Sequence, residues 1–449
     1  MTGRAKTLNV YIAGAPCGQL TEDRYGRISF EYDPNYCGVP LSLSMPVGLE
    51  RYGDRIVRPY LMGLLPDEAS TRTAIGAKFG ISGNNPFRLL EIVGFDCPGA
   101  VQICRPNVTL PAESDAHNLI ELSDGDIEKR LAAVRHNAAA AWSSELESEG
   151  HWSLAGCQAK FALRAQDGRW FECAGAATTH IMKPGVVGLG NQALVEYLSM
   201  KTAGAVKLPV AEVDHRMFGP EPAIIVKRYD RMQSRSGKVL RIHQEDFCQA
   251  LSISPDIKYA DQGGPTTPQI IGLLKATGKN ARENVYRFVL YLFFNYLVGA
   301  TDAHAKNHSV LFVAPDDIRL APLYDVASIA PYQSIAPTKR KPIRTALSIG
   351  GENRFGMLKR ADVEKMVADC RLDGLGLGAN LLCEKLATMV HVVPDALRAT
   401  IGDAQSRKLH GISEVAGALQ SEIEGNCKRT LSHLYPPPTS NTGAPKRCR

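Results

Sequence analysis

The chain has 449 residues, 44% of them hydrophobic and 22% charged, with a formal net charge of +6. That length allows two or three domains with cores of their own, and the balance is that of a soluble globular protein rather than a disordered or fibrous one. The mild positive charge permits an acidic or nucleic-acid partner without requiring one.

No stretch approaches the ~20 apolar residues of a membrane span, and "MTGRAKTLNVYIAG" lacks the apolar run of a signal peptide. The 11 cysteines are scattered without a C-x-x-C pair. A cytoplasmic location is therefore expected, and a zinc ribbon or disulfide framework is not.

In chain order, residues 8 to 45 read as a small β unit. "LNVYIAGAPCGQLTED" gives strand, Gly/Pro turn and strand, and "GRISFEYDPNY" alternates as a half-buried strand does. "FRLLEIVGFDCPGAVQIC" reads as helix, turn and strand, and the Pro/Ser/Asn/Asp-rich "RPNVTLPAESDAHN" as a long loop or linker. From about residue 150 come strands such as "KFALRA" and "PAIIVKRY". Helical patterns then follow in "DFCQALSI", "ENVYRFVLYLFFNYLVG", "ADVEKMVADC", "NLLCEKLATMVHVV" and "EVAGALQSEIEGNCKRTLSHL". The aromatic stripe in "YRFVLYLFFNYL" covers all faces of its helix and reads as core. The tail 436–449 has too little apolar surface to order itself. The expected fold class is α+β: a small β-containing N-terminal subdomain, then a kinase-like two-lobed fold with a strand-rich N-lobe and a helical C-lobe. The boundaries expected are 1–108 for the subdomain, 109–149 for a connecting segment and 150–435 for the core, divided at 232/233.

The chemistry concentrates in "NYLVGATDAHAKNHSVLF". Phosphoryl transfer needs a carboxylate near the attacking hydroxyl and oxygen ligands that hold Mg²⁺ on the phosphates. Protein kinases place both on one loop as D-x-x-x-x-N, and Asp302 and Asn307 have that spacing after a long apolar helix. Taken alone the pattern is common in solvated loops. The short strand expected in "IRLAPLYDVAS" and ending in Asp325, 18 residues beyond Asn307, strengthens it, because kinases place a second metal-binding Asp there. A phosphate-binding cation belongs on a strand upstream, and "ATTHIMKPG" ends its β-prone run at Lys183. A helical carboxylate to fix that lysine is available at Glu196. "PAIIVKRYDR" runs into Lys227, Arg228 and Tyr229, a hinge for an adenine ring, and "WSLAGCQAKFAL" is the candidate phosphate loop, with Gly156 in place of a G-x-G-x-x-G. His304 and His308 in "HAKNH" lack the H-E-x-x-H pattern and a third ligand, which disfavours zinc. "KRKPIR" (339–344) reads as a solvated basic loop that could also meet an acidic partner.

"SLAGCQAKFAL", "TTHIMKP", "RIHQEDFCQALSISPDIKY" with "GGP", "GATDAHAKNHSVL" and "LAPLYDVAS" together resemble the HipA family of serine/threonine kinase toxins from type II toxin–antitoxin modules. "VYIAGAPCGQL", "LSLSMPV", "LMGLLPDE" and "VGFDCPGAV" resemble that family's N-terminal subdomain, so the likeness spans nearly the whole chain. The resemblance implies that Asp302 is the catalytic Asp, that Asn307 and Asp325 bind Mg²⁺, and that Lys183 holds the ATP phosphates. It implies a phosphate loop at Ala155, Gly156, Cys157, Gln158, Ala159 and Lys160, and a hinge at Lys227 to Tyr229. His304, Lys306 and Tyr324, within the same motifs, are expected to line the nucleotide site. Ser153 matches the serine whose autophosphorylation ejects the phosphate loop in that family. The chain departs from the family at Lys227, where an acid begins the hinge, and at Cys157 and Ala159.

The expected activity is transfer of the ATP γ-phosphate to a protein serine of a translation component, an aminoacyl-tRNA synthetase in the best-known members. A DNA-binding antitoxin of HipB type is the expected partner, and operator DNA is contacted mainly through it. Two other readings stay open: a small-molecule kinase sharing the Asp–Asn–Asp chemistry, and a non-catalytic kinase-like co-repressor.

Overall fold

The computed structural model of the protein describes residues 6–48, 51–110, 119–142, 152–173, 175–235, 238–333 and 343–435. In its first unit β1 (Lys6–Ile12), β2 (Ala15–Glu22) and β3 (Ile28–Tyr32) form an antiparallel run. After α1 (Asp54–Gly63), α2 (Ala69–Lys78) and α3 (Pro86–Val93), β4 (Val101–Cys104) returns beside β1, giving the order β3-β2-β1-β4. Side chains alternate across a strand, so Leu8, Val10 and Ile12 go inward, with Leu20 and Phe30 paired alongside. Ala13 and Gly14 are both left-handed, at φ 51° and 79°, which is the backbone a two-residue hairpin turn requires. α3 begins where the Asn85 side chain accepts the Arg88 N–H and Pro86 occupies the first turn, a position that tolerates its missing donor.

The second unit is one antiparallel sheet of six strands. β5 (Leu119–Leu122), β6 (Phe161–Gln166), β7 (Arg169–Cys173), β8 (His180–Lys183), β9 (Val213–Phe218) and β10 (Glu221–Lys227) lie in the order β5-β7-β6-β8-β10-β9. Residues 109–149, expected as a connecting segment, here supply the edge strand β5 and the helix α4 (Asp124–His136), which packs against β9 and β10. A reciprocal cap between Ser123 and Asp126 starts α4, and β5 is too short and too exposed to register as an alternating strand. The opposite face of the sheet carries α5 (Gln192–Ala205). Successive residues of β10 serve two cores. Ala223 and Ile225 join the core of the N-terminal unit, and Ile224 and Val226 join the core that includes α5 and the helical lobe. The sheet is thus shared, and the N-terminal unit is packed on it rather than tethered to it.

The helical lobe follows the hairpin β11 (Arg231–Gln233) and β12 (Val239–Arg241). β13 (His243–Asp246) leads into α6 (Phe247–Ala250), which is shorter than the apolar spacing of "DFCQALSI" predicts because the chain turns left-handed at Ser252 (φ 54°). α7 (Thr267–Lys275) and α8 (Ala281–Val298) come next. α8 is buried around its C-terminal half, as its aromatic stripe requires, and ends at a left-handed Gly299 (φ 74°), a common way to close a helix. β14 (Ser309–Ala314) and β15 (Asp317–Leu320) complete a small sheet with β13. β15 stops at Leu320, and Leu323 bridges Val210, so Asp325 lies beyond the strand rather than at its end.

The hairpin β16 (Arg344–Ile349) and β17 (Glu352–Arg354) and the helix α9 (Arg360–Asp369) precede two long helices, α10 (Ala379–Ser406) and α11 (Ile412–Leu434). α10 continues through Pro394, past the expected end at Val393. The lost backbone bond is offset by packing of the helix on α5, α8 and α11. Most of "KRKPIR" and the tail 436–449 lie outside the described residues.

Candidate active site

The five-residue spacing of Asp302 and Asn307 has a local cause. After Gly299 ends α8, the Asp302 carbonyl accepts the His304 N–H at 2.8 Å and the Asn307 side-chain Nδ2 at 2.7 Å. A short 3-10 turn at Ala305–Asn307 sets that reach. The amide nitrogen of Asn307 is used inward on the backbone, and its oxygen is the atom left for the cleft. The Asp302 carboxylate accepts the Tyr259 hydroxyl and lies 3.7 Å from His304 Nε2. The Asp302 side chain stands largely exposed at the mouth of the cleft, where partial desolvation by its walls pushes the pKa up while the Tyr259 bond works to lower it. Burial, with Lys258 adding to it, drops His304 to about 3, so its ring is neutral at physiological pH.

Across the cleft, β8 delivers Lys183 at its last position. Its Nζ lies 2.7 Å from the Glu196 carboxylate on α5 and 2.6 Å from Asp325. Asp325 is left-handed, at φ 59°, an uncommon conformation for a non-glycine residue and one that turns its carboxylate towards the lysine. Burial works to raise the Asp325 pKa, but Lys183 and Lys160 override it and hold the carboxyl at about 2. Burial acts against the Lys183 ammonium, yet Asp325 and Glu196 raise its pKa further, so both partners stay charged. Asn307 and Asp325 offer hard oxygen donors of the kind Mg²⁺ takes, and that ion is normally held by one or two such side chains together with phosphates and water. The residues fit that role. Among the described residues no cluster of three or more His, Cys, Asp or Glu side chains forms a closed metal cage.

The segment 152–160 forms the third wall. Gly156 is left-handed, at φ 100°, a backbone that residues with a Cβ rarely adopt, so this position favours glycine. Lys160 closes the loop by donating to the Ala155 carbonyl at 2.7 Å. Burial and the neighbouring Lys183 lower its pKa. Gln158 donates to Gln192 at 3.1 Å, and Cys157 is exposed with Lys258 Nζ 3.0 Å from its sulfur. Ser153 is fully buried. Its hydroxyl donates to the Leu64 carbonyl at 2.6 Å and its N–H to the Asp96 carbonyl at 3.0 Å.

These walls enclose a cleft of about 510 Å³ lined by Gly156, Lys183, Tyr229, Asp302, Asn307 and Asp325 among others, within the usual range for a small-molecule site. Three expected site residues stand back from it. Glu196 sits behind Lys183, Ala159 packs towards the N-terminal core, and Ser153 is beneath the loop. The hinge positions divide. Lys227 pairs with Glu212 at 2.8 Å on the surface, and the Tyr229 hydroxyl bonds Gln244 at the cleft. Arg228 lines the same cleft, while its guanidinium is engaged in a buried ion cluster. It lies 3.2 Å from Asp96 and 2.9 Å from Asp230, and Arg231 and Arg241 also reach Asp96, at 2.8 and 3.1 Å. Lys306 pairs with Asp246 at 2.8 Å, and Tyr324 donates to the Lys306 carbonyl at 2.8 Å while its ring lies 5.5 Å from that of Tyr229.

Sequence reasoning missed Asp67, Asp96, Lys258 and Tyr259. Each acts through a partner far away in the chain. The only available signal was their place within "LMGLLPDE", "VGFDCPGAV" and "SPDIKY", which the family resemblance had marked without giving them a role.

Comparisons with known proteins bear on the family and the fold. Residues 8–104 match the HipA N-terminal domain and residues 152–394 the HipA-like C-terminal domain. The protein Y4mE of Sinorhizobium fredii, which carries the name of a kinase, is 34% identical over 92% of this chain and 97% of its own length. The serine/threonine-protein kinase toxin HipA of Shewanella oneidensis is 26% identical over 89% of this chain and 90% of its own. The Shewanella HipA solved with HipB and operator DNA superposes with a TM-score of 0.78 at 23% identity, covering 95% of this chain and 97% of that one, which establishes the α+β fold with its N-terminal β unit. With both domains matched, and a relative aligned over almost its full length, this chain belongs to the HipA family.

Proposed function

We propose that this chain is a serine/threonine protein kinase toxin that transfers the γ-phosphate of ATP to a seryl hydroxyl of a protein substrate. The observation that carries the reading is the meeting of two contacts in one cleft: Asn307 tied to the Asp302 carbonyl, and Lys183 held between Glu196 and Asp325. Lys183 takes the phosphates and the hinge takes the adenine. Asn307 and Asp325 would hold Mg²⁺, which when bound would neutralise charge on the phosphate oxygens. Asp302 orients the acceptor hydroxyl and takes its proton as the O–P bond forms and the ADP oxygen leaves. Positioning and preorganised charge supply the acceleration. An antitoxin of HipB type, operator DNA bound mainly through it, and a translation component such as an aminoacyl-tRNA synthetase are the partners this reading expects. Among the described residues no helix is long and apolar enough to cross a membrane, which is compatible with the cytoplasmic site the reading assumes.

Ser153 is the proposed autophosphorylation site. A phosphoserine adds close to two negative charges, and the buried Ser153 hydroxyl already faces the Leu64 carbonyl oxygen. A phosphate cannot keep that donation to a carbonyl oxygen from a fully buried position, so on this reading the modified segment leaves its seat. Mass spectrometry of the expressed chain and of Asp302→Asn tests both steps. Phosphate on Ser153 of the first and none on the second supports the kinase and its silencing. Absence from both, with no label transferred from ATP to proteins of a cell extract, would sink the reading.

A further inference from the structure

The phosphate loop is held from below by the N-terminal unit, and one side chain does most of the holding. Asp67 follows α1 in the turn before α2. Its N–H donates to the Gly156 carbonyl at 3.2 Å, and its Oδ1 accepts the Gly156 N–H at 3.2 Å. Its Oδ2 accepts Lys258 Nζ at 2.8 Å, and Lys306 of the catalytic loop lies 3.6 Å away. Lys258 also reaches the sulfur of Cys157. One carboxylate, with its side chain 5% exposed, therefore touches the N-terminal unit, the phosphate loop and the catalytic lobe at once. Burial works against its charge, but Lys306, Lys258 and Lys160 keep the Asp67 carboxyl well below the usual carboxylate range. A buried acid among lysines is costly unless every partner is in place, so this constellation favours a single loop position.

We infer that Asp67 is a positioning residue of the nucleotide site, a latch reaching out of the N-terminal unit that keeps the phosphate loop closed, with Lys258 as its second half. The inference rests on the kinase reading for what the closed loop holds, while the latch itself rests on the contacts alone. Its consequence is a coupling. Ser153 and Gly156 sit on neighbouring seats, Leu64 and Asp67, so drawing Ser153 out strains the latch, and opening the latch loosens the segment that must expose Ser153. A partner that shifts the turn after α1 would act on the nucleotide site without touching the cleft.

The test is amide hydrogen exchange of residues 153–158 in the full chain without nucleotide, together with titration of a fluorescent ATP analogue, in Asp67→Ala, Asp67→Asn, Lys258→Ala and the double alanine variant. Losing hydrogen bonds to a charged group predicts exchange and dissociation constant each raised roughly tenfold in Asp67→Ala, with Asp67→Asn between it and the parent. Lys258→Ala repeats the effect, and the double variant is little worse than either single one, because the two act as a unit. Unchanged exchange in both single alanine variants, with protection of α8 intact, overturns the latch. Unchanged or tighter ATP binding in a variant whose loop has loosened overturns its role at the nucleotide site. If the parent chain binds no ATP, the kinase reading fails, and the exchange measurement still decides the latch. Should Asp67→Ala not fold, Asp67→Asn and Lys258→Ala carry the comparison.

Discussion

The catalytic loop and the phosphate loop face each other across one cleft and are held in opposite ways. The turn that defines residues 299–309 is closed locally, where the Asp302 carbonyl gathers His304 and Asn307 within five positions of chain, although Lys306 and the Asp302 carboxylate also reach Asp246 and Tyr259. The contacts that shape residues 152–160 are mostly distant. Ser153 depends on Leu64 and Asp96, and Gly156 on Asp67. A loop whose defining turn is closed from within depends less on its surroundings. One stabilised by a separate unit has a position that can be lost as a whole, which suits a wall that must admit nucleotide and, on this proposal, be ejected.

The largest effect expected follows from the self-contained side. Asp302→Asn keeps the backbone ties of the loop, since these use the carbonyl and not the carboxylate. Its fold and ATP affinity should match the parent, while phosphoryl transfer falls by roughly 10³-fold or more, the scale of losing a group that acts in the transition state. Asp325→Asn should lose as much activity and also bind nucleotide less well, because it releases Lys183. Labelled-ATP transfer beside a binding titration separates the two. Equal loss of binding in both variants would show that the catalytic loop is not as autonomous as its bonds imply.

The next effect tests the distant side at its root. Asp96 of the N-terminal unit is buried against Arg228, Arg231 and Arg241 and also accepts from Thr178. Removing it leaves Arg228 and Arg231 to share Asp230 and takes a charged contact from Arg241, so Asp96→Ala should cost about 3–5 kcal/mol, read as a lowered urea midpoint. If its cost were no more than that of an exposed ion pair, about 0–1 kcal/mol, the N-terminal unit would be a looser attachment than its shared core indicates.

The same contrast explains what could be read in advance. Strands β1 to β3 and the long helix α8 follow from side-chain periodicity, and Asp302 and Asn307 from their spacing in one loop, because those signals are local. Lys183 and Asp325 are read from their places after short β-prone runs, although their ion pair joins positions 142 apart. The edge strand β5, the continuation of α10 through Pro394 and the ion cluster around Asp96 depend on partners in other elements, from β7 for the strand to Arg228, 132 positions on, for the cluster, and no period or spacing encodes those. Arg228 shows the limit most clearly. Its place in the hinge segment was legible, but the direction of its guanidinium, inward to Asp96 and Asp230, was decided by residues on another unit.

The smallest predicted effect joins the two sides. Lys258 and Tyr259 are adjacent, yet one reaches Asp67 beneath the phosphate loop and the other reaches the carboxylate of Asp302. Tyr259→Phe removes a donor to the ionised form of Asp302, which is one of the influences keeping that pKa from rising further. The groups facing Asp302 that remain are Lys258, which lowers its pKa, Asp325 and Asp67, which raise it, and His304, which is neutral. The carboxyl therefore holds its proton to higher pH in the variant. If Asp302 acts as proposed, its working form is the carboxylate, and the acid limb of the rate profile should move to higher pH, with the plateau rate reduced about threefold through looser orientation. ATP affinity should be unchanged, because Lys258 and its latch are untouched. A profile of rate against pH for parent and variant decides it. An acid limb that stays in place would mean that Tyr259 supports the fold of its turn and has no influence on the base.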